Sequence, residues 1–121
     1  MEFVNYNIAK LAKEKGYSET SRVYYDTMGS LYTQTYSEGI GYVPNFSCYA
    51  PLQEELSEWL RDDKGIHISI IAVYKGQIRY YAYIIYTPNS VIKTGTELVE
   101  ELFMCYEDAL DAALTMAVNM L

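Results

Sequence analysis

The chain has 121 residues, 50% of them apolar and 21% charged, with a formal net charge of −7. That length and balance suit one globular domain, residues 1–121, with a core of its own, and argue against a disordered chain. The acidity disfavours binding to phosphate backbones, which relies on Lys and Arg releasing counterions, and no apolar run approaches the roughly 20 residues of a membrane helix.

In chain order, Asn5 or Asn7 caps a first helix running to about Lys15, with Val4, Ile8, Leu11 and Ala12 at helical spacing and Gly16 as its stop. Arg22–Tyr25 and Leu31–Tyr36 are rich in strand formers and flank the turn-like Asp26-Thr27-Met28-Gly29-Ser30, which predicts a short hairpin. The stretch Ser37–Tyr49 holds Gly39, Gly41 and Pro44 and is expected to be a loop. Pro51 at a first helical position opens a second helix that ends at Gly65. Leu52, Leu56, Trp59 and Leu60 form its apolar stripe, and Gln53, Glu54, Glu55, Glu58 and Asp62 its wet side.

Two apolar strands follow, around Lys75-Gly76. A two-residue loop at Lys75-Gly76 would put the aliphatic sets of the two strands on opposite faces. A three-residue loop, Tyr74-Lys75-Gly76, pairs Val73 with Gln77 and unites them, with Gly76 at the left-handed position. The three-residue loop is therefore expected, with the even-numbered face of both strands on the helices. Pro88-Asn89 breaks the second strand, Val91–Gly95 is a polar connection, and Leu98–Met104 has room for an edge strand. A last helix starts near Tyr106 and carries Ala109, Leu110, Ala113, Leu114, Ala117 and Leu121 on one broad face. The expected class is α+β, a mainly antiparallel sheet of about four to five strands packed with about three helices, in the order α-β-β-α-β-β-(β)-α.

Three segments make an ordered set of motifs: Ile8-Ala9-Lys10-Leu11-Ala12-Lys13-Glu14-Lys15-Gly16-Tyr17, then Ala50-Pro51-Leu52-Gln53 through Trp59-Leu60-Arg61 to Ile66-His67-Ile68, then Tyr106-Glu107-Asp108-Ala109-Leu110. Over nearly the whole chain this resembles a family of small uncharacterised proteins from Bacteroides-type gut bacteria and their phages, with Asp62-Asp63 differing from the more usual Glu-Val or Glu-Lys. The resemblance implies a prophage or mobile-element setting. It brings no activity and no catalytic residues.

Few residues offer chemistry. His67 is the only histidine, so acid–base and metal sites have little to draw on. Cys48 and Cys105 lie far apart, with no CxxC spacing, and are expected to be small buried hydrophobes. The opening Met1-Glu2-Phe3-Val4-Asn5 lacks the basic start and apolar run of an export signal, which points to the cytoplasm and reduced thiols. No catalytic constellation, cofactor or metal site is expected. With 14 tyrosines in the chain, the odd-numbered sheet face stands out as the candidate interaction surface: His67, Ser69, Ile71, Arg79, Tyr81 and Tyr83. Cover by another part of the chain, an unknown protein partner or a second copy, or single-stranded nucleic acid would each explain such a face. Lys75-Gly76-Gln77-Ile78-Arg79-Tyr80 lacks the aromatic after the glycine that RNA-binding sheets carry. From Thr94 to Leu121 the chain has six acids and no Lys or Arg, which opens a further possibility, an acidic inhibitor imitating nucleic acid. The expected function is that of a non-enzymatic accessory protein acting by protein–protein contact.

Overall fold

The structure, a computed structural model, describes residues 2–33, 45–93 and 101–121. Helix α1 spans Tyr6–Glu14, and the Asn5 side chain caps it by accepting from the Ile8 amide at 3.0 Å. Strands β1 (Val23–Asp26) and β2 (Leu31–Thr33) form the expected hairpin. The Asp26 carboxylate holds its turn, accepting from the Met28 and Ser30 amides at 3.0 and 2.9 Å. Residues 34–36 of the expected second strand and 37–44 of the expected loop lie outside the described residues.

Strand β3 (Phe46–Tyr49) corrects the loop expectation for that stretch. Its aromatic and cysteine side chains suit a half-buried pleated surface, and it pairs antiparallel with β1 to give a sheet of order β2-β1-β3. Helix α2 (Gln53–Lys64) starts after Leu52, so Pro51 precedes the cap instead of opening the first turn. Pro51 is held outside the helix because residues 2–4 run alongside 51–53. Val4 N–H donates to the Pro51 carbonyl at 3.0 Å, and Gln53 N–H to the Glu2 carbonyl at 2.9 Å. Leu56, Trp59 and Leu60 are buried as the stripe requires, and Gly65, at φ +68°, ends the helix in a left-handed cap.

The second sheet has the order β4-β5-β6, from His67–Lys75, Ile78–Tyr86 and Val91–Lys93. β6 stands where a polar connection was expected. Of the expected edge strand at 98–104, residues 98–100 lie outside the described residues, and Phe103 makes a two-bond bridge to Tyr81, each bond 2.8 Å.

The β4–β5 register overturns the three-residue loop. Lys75 pairs with Ile78, Val73 with Tyr80 and Ile70 with Tyr83, leaving Gly76-Gln77 as a two-residue turn. Gly76 takes φ +65° while Gln77 does not go positive, which is the glycine-first pattern of a primed hairpin turn. The even residues of β4 therefore share a face with the odd residues of β5. Ile68, Ile70, Tyr83 and Ile85 point into the core, and the even residues of β5 face out.

Helix α3 (Tyr106–Asn119) packs against α1, α2, β4 and β5. Its buried face is Ala109, Leu110, Ala113, Leu114, Ala117 and Val118. The class is α+β, and the described residues form three helices and two three-stranded antiparallel sheets in place of one sheet of four to five strands. Gln53, expected on the wet side of α2, is only 1% exposed. Its Nε2 donates to the Glu107 carbonyl at 3.1 Å and to Asp111 Oδ1 at 2.8 Å, tying α2 to α3.

Burial raises the Asp111 carboxyl above its ordinary value, helped by Asp108 and opposed by the Gln53 hydrogen bond. A raised folded-state pKa means the native chain holds that proton more tightly than the unfolded chain. Stability is therefore lost as pH rises from the ordinary carboxylate value through the raised one. Asp111→Asn keeps an acceptor for Gln53 and removes the charge. Its thermal midpoint should exceed the parent's at neutral pH, with the gap closing as pH falls from the raised value to the ordinary carboxylate value. A second outcome follows from the turn: Gly76→Val should cost about 1–2 kcal/mol, read as a lower urea midpoint with an unchanged m-value.

Candidate interaction surfaces

The six residues expected on one face divide between two. His67, Ser69 and Ile71 lie on the outer face of the second sheet, opposite Tyr86, Ile84 and Ala82. Arg79, Tyr81 and Tyr83 lie on the inner face. Tyr83 is 3% exposed and packs on Phe103, with ring centroids 6.1 Å apart. Tyr81 is half-buried and meets Tyr106 edge-on at 6.1 Å, and the Arg79 guanidinium sits 5.5 Å from the Tyr81 centroid. An aromatic buried like Tyr83 has no face left for stacking a base.

The outer face gathers even-numbered β5 residues that the sequence reading assigned to the core, Ile78 (53% exposed) and Tyr86 (42%). They lie beside Ile71 (37%), which was expected at the surface, and Val91 (52%) of β6, flanked by half-buried Ser69, Val73, Tyr80 and Ile84. Among the described residues the helices pack on the opposite side, where the core cluster sits. No Asp or Glu occupies an outer-face position of β4, β5 or β6. The signal missed was Gly76 followed by a non-glycine residue, which favours the glycine-first two-residue turn.

The C-terminal acids form no common patch among the described residues. Glu101 and Asp108 are exposed, Glu107 and Asp111 half-buried, and Asp111 serves Gln53; Glu97 and Glu100 lie outside the described residues. Acidity collects elsewhere. A cleft of about 320 Å³ between α2 and the segment after α1 is lined by Glu19, Glu55, Glu58, Asp62 and Asp63, with Tyr17, Trp59 and Thr20. The sequence carries a trace of it, because Glu55, Asp62 and Asp63 fall three or four positions to either side of Trp59 and Glu58 directly precedes it. Glu58 has Glu55 and Asp62 one turn away on each side, and each such like-charge pair costs roughly 0.2–0.5 kcal/mol. The burial of Tyr17, which closes the cleft, has no local signature.

Both cysteines are free, Cys48 buried and Cys105 half-buried. Burial pushes the Cys48 thiol up, which suppresses the nucleophilic thiolate. No set of three His, Cys, Asp or Glu among the described residues is placed to hold a metal ion, and no helix among them is long and apolar enough to cross a membrane. In comparisons with protein-family models, curated proteins and solved structures, the chain matches none. With a thiol-reactive dye the native protein should label quickly at Cys105 and label Cys48 only on unfolding, which peptide mapping of the labelled chain would verify.

Proposed function

We propose that the chain is a non-enzymatic accessory protein that acts by protein–protein contact through the outer face of the β4–β5–β6 sheet. One observation carries the reading: Ile71, Ile78, Tyr86 and Val91 are exposed on one sheet face, with half-buried Val73, Tyr80 and Ile84 and fully buried Ala82 among them and no carboxylate on that face, on a chain of net charge −7. Exposed patches of that kind mark association sites in soluble proteins, and tyrosine and isoleucine supply buried area at low entropic cost. Keeping carboxylates off the face spares a partner the cost of desolvating them.

The setting proposed is a phage or mobile element in a Bacteroides-type host, which rests on the three ordered sequence motifs, and the location is the cytoplasm, which two free cysteines suit. The occupant of the face is a host or phage protein, or a second copy of the chain.

Ile71→Lys combined with Ile78→Lys tests the reading. Both side chains are exposed, so the thermal midpoint should stay close to the parent's. Capture of a partner from host extract, or dimer mass by light scattering, should weaken at least about tenfold, equivalent to ~1.4 kcal/mol. Undiminished association in the double variant would sink the proposal. Salt-sensitive retention of single-stranded DNA or RNA by the parent protein would favour the nucleic-acid alternative instead.

A further inference from the structure

The cleft beside Trp59 is independent of the sheet face, and it holds groups without partners among the described residues. Three of its five carboxylates are the first, since Glu55 accepts from the Leu52 amide and Asp62 pairs with Arg61. The chain has nine Lys and Arg residues, and among the described side chains none of them lines the cleft. Lys13 and Lys15 are spent on the Ser47 and Leu121 carbonyls, Lys10 sits over Tyr6, and Arg61 pairs with Asp62 at 2.9 Å and acts on Glu58 only through the field of its charge. Glu19, Glu58 and Asp63 have no ion-pair or hydrogen-bond partner among the described residues.

The second observation comes from the two aromatic residues. Tyr17 and Trp59 are 7% and 9% exposed and touch edge-on, with centroids 5.3 Å apart. Neither the Tyr17 hydroxyl nor the Trp59 indole N–H finds a hydrogen-bond partner among the described residues. No described side-chain nitrogen or oxygen that is sealed from solvent lacks a partner, so both groups must open onto free space. Tyr17 lines this cleft and, with Glu19, a second one of about 330 Å³ beside Phe46 and Cys48. Burial, then Glu55 and Glu19, push its hydroxyl up to about 12, and both acids line this cleft. Lys64 rests its ammonium 5.5 Å from the Trp59 centroid from outside the cleft.

We propose that this cleft binds an extended organic cation through guanidinium or primary ammonium groups, with Glu19, Glu58 and Asp63 supplying the charge and Tyr17 and Trp59 the aromatic wall. The carboxylates are too dispersed for one metal ion, but they suit a ligand whose charges are spread along a chain. A volume of about 320 Å³ is at the small end of ligand pockets. Carboxylates pair with guanidinium forks or ammonium donors, and aromatic walls favour cations over neutral groups. The same chemistry comes from two sources, a free polyamine or the basic side chains of a partner protein.

Trp59 is the only tryptophan, so its fluorescence reports on the cleft directly, and the Trp59 indole signal in a proton–nitrogen correlation spectrum gives a second readout. The full chain is titrated with spermidine, with a blocked Arg-Arg dipeptide, and with KCl at matched ionic strength. A saturable change with either organic cation is expected where KCl gives none, with at least tenfold weaker binding in Glu58→Gln combined with Asp63→Asn. Both positions are exposed, and the substitution relieves like-charge repulsion, so an unchanged circular-dichroism spectrum and melting curve should accompany the loss. Tighter binding of spermidine points to a polyamine, and tighter binding of the dipeptide to a basic segment of a partner. The proposal is overturned if neither readout saturates, if KCl reproduces the change, or if the double variant binds as the parent does.

Discussion

Three alanines on α3, Ala109, Ala113 and Ala117, are fully buried and set how closely that helix approaches its neighbours. Alanine adds packing without rotamer entropy to lose, so the helix can settle on β4 and β5 while α1 and α2 lie against its other side. Leu110, Leu114 and Val118 then fill the space between these surfaces. Every other element is placed relative to this contact. Among the described residues the second sheet turns one face to α3, and its other face keeps Ile71, Ile78, Tyr86 and Val91 exposed while Ala82 is fully buried. The first sheet joins through α1, where the Tyr25 hydroxyl donates to the Val4 carbonyl and the Tyr6 hydroxyl lies 2.9 Å from Ser47 Oγ.

Tyrosine has two uses in this arrangement. Where the ring is inside, as in Tyr25 and Tyr83, it fills volume that an aliphatic side chain would fill elsewhere, while burial raises the phenol's pKa above its ordinary value. Where the ring is at the surface, as in Tyr74 and Tyr86, it leaves a broad apolar contact area with a wet rim. The same residue type thus carries both core and surface roles, and composition alone does not separate them.

That ambiguity explains what could be read from the sequence. Asn5 as a cap, Gly65 as a stop and the alanine face of α3 were legible because each depends on neighbours within one or two turns. The register of β4 against β5 was not. Both faces of β5 are apolar, Tyr81, Tyr83 and Ile85 on one side and Ile78, Tyr80, Ala82 and Ile84 on the other, so alternation gave no vote. Taking the aliphatic set as the core set chose the wrong side. β3 and β6 are short strands whose existence depends on a partner. Gln53 is buried only because Asp111, 58 positions away, offers it an acceptor. For the cleft, the acids around Trp59 were visible, but Tyr17 beside them was not.

The position of α3 in the chain has a consequence for how the protein forms during synthesis. The β4–β5 hairpin closes over two residues and needs no distant partner, so it can form within microseconds of leaving the ribosome. Helix α1 emerges far earlier, but short isolated helices are marginal in water. The surfaces that stabilise it come later: β3 first, then α3, which follows the other described elements. At an elongation rate of about 5–20 residues per second, α1 waits several seconds with Ile8, Ala9 and Ala12 uncovered. That interval, in which the hub of the core is missing while its spokes are already made, is when the nascent chain is most exposed to chaperones and proteases.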